Sequence, residues 1–214
     1  MAGAVIIGVG PGIGLAVARR FAREGLPVAL LARTQETVES AAEAVRPLGV
    51  PALPLTADSS DEAALCAALD TAAAEFGVPD VLVYNAAVIR PDTVGELSLP
   101  DHLHTYAVNV LGALTAAAHT APAMAARGAG TFLVTGGMPE PDPAYVSLSL
   151  GKAGVRSLVS LLDLEYGPSG VHVATVTVTG AVAPGTAWDP DDIADRYWRL
   201  HIQPHTEWER EVLH

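Results

Sequence analysis

The sequence predicts an α/β fold, a doubly wound parallel sheet with helices on both faces. Three observations carry this. Short apolar runs alternate with longer Ala-rich stretches along the whole chain, the pattern of successive βαβ units. Several of those runs are continuously apolar rather than alternating, as expected of strands covered on both faces. The first run leads directly into a Gly-rich turn and then a helical pattern.

In order, the expected strands are Ala4–Ile7, Val28–Ala32, Ala52–Leu55, Val81–Tyr84, Thr131–Thr135 and Val171–Val178. Between them lie expected helices over Gly14–Glu24, Glu36–Pro47, Asp61–Phe76, Asp101–Arg127 and Ser149–Tyr166. Glu24-Gly25, Leu48-Gly49, Phe76-Gly77 and Tyr166-Gly167-Pro168 mark the joints, because Gly and Pro punctuate helices and turns. No linker, low-complexity tract or fixed-period repeat interrupts the pattern, so residues 1–214 read as one unit.

Composition narrows the function. Twelve basic against 24 acidic residues leave a formal charge of −12, with no Lys/Arg cluster to offset it. Such a surface repels phosphate backbones and anionic bilayers, which argues against nucleic-acid and membrane partners and leaves a small-molecule substrate open. No apolar stretch approaches the ~20 residues of a membrane span. Met1–Gly8 lacks a basic start and flows into the Gly-rich turn, so it reads as a strand rather than a signal peptide. The lone Cys66 permits no internal disulfide, and the default compartment is the reducing cytoplasm.

The turn itself is Gly8-Val9-Gly10-Pro11-Gly12-Ile13-Gly14, with Gly8, Gly12 and Gly14 in the pattern G-x-x-x-G-x-G. Glycines there let the backbone approach a pyrophosphate, and the helix opening at Ile13 and Gly14 offers amide donors at its positive end. That makes the fold Rossmann-like. The second strand ends at Arg33, where an NAD site usually carries an acid, and a guanidinium there favours the 2′-phosphate of NADP(H).

With these motifs in place the chain resembles the short-chain dehydrogenase/reductase family, over residues 4 to about 180. The glycine spacing matches, with Ile7 where the family usually has Thr. Asp58 matches the acid that contacts the adenine. Asn85-Ala86-Ala87 resembles the family's Asn-Asn-Ala-Gly, with Tyr84 for the first Asn and Ala87 for the Gly. Asn109 matches the active-site Asn, which holds a water through its backbone, and Lys152 matches the catalytic Lys. Thr179-Gly180 stands where the family has Pro-Gly. The resemblance implies an oxidoreductase that binds its nicotinamide cofactor through Gly8, Gly12, Ile13, Gly14, Arg33, Asp58, Asn85, Ala86 and Lys152.

The family's catalytic Ser and Tyr are missing. The Tyr position, one helical turn before Lys152, is Leu148, and the Ser position is Gly137. The ending, with His201-Ile202-Gln203-Pro204 and Trp208-Glu209, is similar to that of a divergent subgroup lacking active-site residues. The segment of about 181–189 is too short for the family's substrate-covering helices, so the expected pocket is more open, or closed by a partner subunit. Tyr145 and Thr135 are candidate replacements, the first by swinging in from the loop before the helix and the second by sharing a strand face with Gly137. Ser147 and Ser149 read as N-cap and early-helix residues. His102, His104, His201, His205 and His214 lack metal-ligand spacing, so no metal is expected, and Cys66 reads as a small core residue.

Losing the Tyr removes a positioned acid worth about 3–5 kcal/mol of barrier, and losing the Ser removes an oxyanion donor worth about 3–4 kcal/mol. One electrophile escapes both losses. An iminium carbon is already cationic, and hydride transfer neutralises it with no oxyanion. The leading expectation is therefore an NADPH-dependent reductase of an iminium, hemiaminal or activated carbonyl compound. Glu140 and Asp142 lie where this fold places substrate contacts, but a solvated Pro-rich loop is the expected reading of that segment. The alternative is a non-catalytic NADP(H)-binding sensor or partner subunit, and a further option is a non-redox lyase or cyclase. Small residues on the two long helices, with the pairing seen in related folds, point to a homodimer or homotetramer.

Overall fold

In the computed structural model, which describes residues 3–214, all seven strands lie in one parallel sheet. The first two residues of the N-terminal run, Met1 and Ala2, lie outside the described residues. The strands are β1 (Ala4–Ile7), β2 (Val28–Ala32), β3 (Ala52–Thr56), β4 (Val81–Tyr84), β5 (Gly130–Gly137), β6 (Val171–Val178) and β7 (Glu211–Leu213). Their order is β3-β2-β1-β4-β5-β6-β7, so the winding reverses between β1 and β4. That reversal opens a crevice at the carboxyl ends of the strands, where open α/β sheets hold ligands.

The helices are α1 (Ile13–Arg23), α2 (Gln35–Val45), α3 (Glu62–Phe76), α4 (Leu99–Tyr106), α5 (Gly112–Arg127), α6 (Val146–Tyr166) and α7 (Pro190–His201). Thr34, Asp61, Ser98 and Asp189 start four of them, each side chain accepting a backbone N–H of the first turn. Such caps contribute about 1 kcal/mol apiece. One face of the sheet packs residues of α1, α2 and α7 (Val17, Val38, Tyr197) on Ile6, Leu30 and Leu133. The other packs α3, α5 and α6 (Leu65, Ala113, Val155) on Ile7, Leu82 and Phe132.

Four features differ from expectation. β5 runs on to Gly137, because it pairs residue for residue with β6 as far as Val178. The expected long helix Asp101–Arg127 starts earlier, at Leu99, and is broken by a π-helical segment, Ala107–Leu111. Within it the Asn109 side chain makes two bonds to Val88: its Oδ1 accepts from the backbone N–H at 2.7 Å, and its Nδ2 donates to the carbonyl at 3.1 Å. α6 begins at Val146 rather than Ser149. The C-terminal segment adds α7, which starts at capped Asp189 and Pro190, and the short edge strand β7.

Candidate functional site

At the β1–α1 joint, Gly8 has φ +88°, a left-handed conformation that glycine adopts without strain. A side chain on Gly8 would collide with the backbone of Asn85 and Ala86, and one on Gly14 with the carbonyl oxygen of Gly8. The two glycines thus let three chain segments touch. Gly10 and Gly12 instead face open space, with nothing within 4 Å of an added Cβ. Gly12 precedes α1 and gives its N-terminus no side-chain cap. An uncapped positive helix end beside an open glycine surface suits a pyrophosphate.

This turn forms one end of a cavity of about 860 Å³ that spans the carboxyl ends of the strands. Arg33, Thr34 and Thr37 line it beyond β2, and Asn85, Ala86 and Ala87 line it beyond β4. Asp58 does not line it, although Ala57 and Ser59 do. The Asp58 Oδ1 accepts from the Ser60 backbone N–H at 2.8 Å and from its hydroxyl at 2.7 Å, leaving Oδ2 free. Those bonds hold the carboxyl below its ordinary pKa, with Arg33 adding to the effect.

The other end of the cavity is lined by Thr135, Gly137, Met138, Tyr145, Leu148 and Lys152. Lys152 is buried, and its Nζ donates to the Thr135 carbonyl at 2.6 Å. Burial pushes its ammonium down to about 8. Leu148 stands one turn before it on α6, and Gly137 closes β5 beside it, where an added Cβ would be 3.6 Å from the Lys152 Cε. Asn109 sits beneath this end, buried and bonded to Val88, and does not line the cavity.

The two candidate replacements fare differently. Tyr145 is the half-buried residue just before α6 and lines the cavity. Thr135 also lines it, but its hydroxyl proton is already committed. Asn85 uses its Nδ2 to donate to the Gly8 carbonyl at 2.8 Å, so its Oδ1 is the acceptor for Thr135 Oγ1 at 2.7 Å. Thr135 is therefore not a free donor towards a substrate. Its remaining neighbour, Tyr197 of α7 at 2.7 Å, donates to it.

Glu140 is exposed, whereas Asp142 lines the cavity with its Oδ1 taken by the Ala144 N–H. Ser147 is the second residue of α6 rather than its N-cap, and Ser149 Oγ accepts from the Asp142 N–H. Cys66 is half-buried rather than fully packed in the core, and it lines a separate cavity with His119. His201 bonds Thr131, and His214 bonds the Ala187 carbonyl. Among the described residues, no group of three or more His, Cys, Asp or Glu could hold a metal ion, and no helix is long and apolar enough to cross a membrane.

Sequence reasoning missed three residues that shape the site. Buried Asp92 accepts the Ser147 N–H at 3.0 Å and its hydroxyl at 2.8 Å, clipping the loop after β4 to the start of α6. Arg156, one turn beyond Lys152, donates to the carbonyls of Gly137 and Met138 at 3.2 and 3.1 Å. It holds the exit of β5 where Met138 adopts φ +47°, a conformation uncommon for a residue with a side chain. Tyr197 is fully buried behind Thr135. Asp92 and Arg156 have no local pattern that announces them, and Tyr197 shows only the helical spacing of Ile193, Ala194, Tyr197 and Leu200.

The profile of the family described as short chain dehydrogenase matches residues 2–190. A cis-4-hydroxycyclohexanecarboxylate dehydrogenase from Sinomonas cyclohexanicum is 33% identical over 192 residues, which cover 87% of this chain and 74% of that one. The crystal structure of a metagenomic short-chain oxidoreductase in complex with NADP has a TM-score of 0.91 at 28% identity, covering 100% of this chain and 96% of the other. An NAD+-bound xylitol dehydrogenase has a TM-score of 0.81 at 27% identity, covering 87% of this chain and 73% of the other. With the ordered motifs, the parallel sheet and its crevice, these likenesses lead to one conclusion: the chain belongs to the short-chain dehydrogenase/reductase family.

Proposed function

We propose that the protein is an NADPH-dependent oxidoreductase with an atypical active site, reducing a small electrophile that needs little acid assistance: an iminium or hemiaminal compound, or an activated carbonyl. One observation carries the reading. The cavity wall beside Lys152 is made by Gly137 and Leu148, the positions that match the family's Ser and Tyr. In this reading the chain is one of a divergent subgroup without that pair.

The residues present fit a dinucleotide. Gly8, Gly12, Ile13 and Gly14 would hold the pyrophosphate at the open end of α1. Asn85 and Ala86 would flank the nicotinamide half, Lys152 would bind its ribose, and Asp58 Oδ2 would serve the adenine. The bound cofactor supplies a hydride. Arg33, Thr34 and Thr37 line the site where a 2′-phosphate would be read, which favours NADP(H). The solved relatives bind NADP in one case and NAD+ in the other, so the preference rests on Arg33.

At the substrate end Leu148, Val178 and Val182 give the cavity an apolar wall, and among the described residues Tyr145 is the one phenol that lines it. Tyr145 is the candidate for any proton still needed, with Asn109 and Lys152 as its supporting set. Thr135 serves through its carbonyl, which holds Lys152. NADPH oxidation is to be followed across cyclic imines, hemiaminals and activated ketones. Turnover with the first two and little with simple ketones is expected. No turnover with any class sinks the reductase reading. Arg33→Asp is expected to weaken NADPH binding at least tenfold and leave NADH binding nearly unchanged, by calorimetry.

The second reading, a non-catalytic NADP(H)-binding sensor or partner subunit, is favoured by the commitment of the Thr135 hydroxyl to an internal bond. Tight binding without turnover supports it. Either reading includes a homodimer or homotetramer. Leu103, Tyr106, Leu111 and Leu114 leave an exposed apolar face around the π segment, and Leu161 and Leu164 continue it on α6. Light scattering tests this. A reducing compartment such as the cytoplasm belongs to the same proposal, resting on the free Cys66 thiol.

A further inference from the structure

The geometry points to Tyr197 as a positioning residue for the nucleotide site, acting through Thr135 and Asn85 on the glycine turn. The inference rests on the reading that the cavity binds a nicotinamide dinucleotide. Tyr197 itself does not line that cavity, and its side chain is fully buried on α7, near the C-terminus.

The chain of bonds has one consistent direction. The Gly8 carbonyl can only accept, so the Asn85 Nδ2 donates to it at 2.8 Å. Asn85 then presents its Oδ1 to Thr135, which must donate at 2.7 Å. A hydroxyl has one proton, so the second contact of Thr135 Oγ1, to Tyr197 at 2.7 Å, is one in which Tyr197 donates. Burial raises the Tyr197 phenol above its ordinary range, which keeps that donor protonated. Tyr197 thus orients Thr135, Thr135 orients the Asn85 amide, and Asn85 holds the Gly8 carbonyl, against which Gly14 packs at the start of α1. The main-chain oxygen of Thr135 also holds Lys152. Through one residue of β5, the C-terminal helix reaches both ends of the site.

α7 is joined to the same helix from outside. Asp191 pairs with Arg19 at 2.9 Å, Asp195 pairs with Arg20 at 2.6 Å, and the Trp198 ring lies 5.5 Å from Phe21 in an edge contact. This outer contact is docking and separates experimentally from the inner relay. Asp191→Asn removes an exposed pair of little energetic weight. Tyr197→Phe keeps the ring and its packing and removes only the donor.

The test is calorimetric titration of the full chain with NADPH, alongside thermal melts without nucleotide. For Tyr197→Phe and Thr135→Val the expected result is about three- to tenfold weaker binding, the equivalent of one lost net hydrogen bond. Thr135→Ser, which keeps a hydroxyl, should bind nearly as the wild type does, and Asp191→Asn should stay within about twofold of it. The double variant Tyr197→Phe with Thr135→Val should bind no more weakly than Thr135→Val alone, because both break one chain. In the wild type, NADPH should slow hydrogen exchange in α7. Binding by Tyr197→Phe within about twofold of wild type, with only the melting temperature lowered, would overturn the inference. An equal loss in Asp191→Asn would assign the effect to docking and overturn it too. A wild type that binds neither NADPH nor NADH removes the cofactor reading itself, a result separate from either.

Discussion

A methyl group added at Gly12 and one added at Gly14 meet opposite surroundings, which separates what each glycine does. At Gly12 the Cβ enters open space, so only a ligand would feel it. At Gly14 it strikes the Gly8 carbonyl and lies 3.0 Å from the Asn85 Nδ2. Gly12→Ala is therefore expected to weaken nucleotide binding. Gly14→Ala is expected to cost about 1–3 kcal/mol of stability, the usual penalty of overpacking. Denaturant melts and titration calorimetry on both variants check this. The proposed loss of the family's Ser and Tyr can be probed the same way. Leu148→Tyr places a phenol one turn before Lys152, and NADPH-linked ketone reduction should then rise by about 10²-fold. Gly137→Ser has room, 3.6 Å from Lys152 Cε, but φ is +157° there. A side chain at that backbone angle costs about 1–3 kcal/mol, so the single Leu148 variant is the cleaner assay.

Elements show where sequence patterns reach and where they stop. The glycine turn and Arg33 stand out in the sequence by a short spacing and by the end of an apolar strand, and Lys152 by its likeness to the family's motif. Asp92 was not: its partner Ser147 is 55 residues away, and nothing near Asp92 marks it as buried. The clip has a measurable worth. The carboxylate satisfies two donors at the start of the 21-residue helix α6 and places a negative charge at its positive end. Asp92→Ala leaves the buried Ser147 groups without that partner, and a loss of about 1–3 kcal/mol is expected. Asp92→Asn keeps an acceptor and should recover about half. Urea melts at neutral pH measure both, and an alanine variant as stable as the wild type would remove the clip as a structural element.

Across the whole molecule, the six strands expected from sequence are the six that pair in the centre and on the β3 side, where apolar residues dominate each run. The C-terminal segment has no apolar run of comparable length. β7 is three residues with Glu211 at its start, too short and too polar to stand out. α7 had its capping Asp189, Pro190 and the spaced Ile193, Ala194, Tyr197 and Leu200, but its meaning depends on β5 and α1, reached only in three dimensions. This segment should also give the fold its pH dependence. His172 of β6 contacts the carbonyls of Leu200 and Glu209 and stacks on Trp208 at 4.7 Å. His201 is bonded to Thr131. Burial lowers the His201 imidazole below its ordinary range. His172 faces two carbonyl oxygens, and a neutral imidazole with one N–H can donate to only one of them, so burial and hydrogen bonding oppose each other there. In the unfolded chain His201 takes up a proton near pH 6.5, whereas in the fold it does so only at lower pH. Its contribution is thus complete above pH 6.5 and is lost as pH falls through the folded value, at up to about 1.4 kcal/mol per pH unit. Calorimetric melts from pH 6.5 to 5 should show a falling melting temperature. The slope should flatten in His201→Gln, which cannot take up the proton, and an unchanged slope would place the titrating group elsewhere.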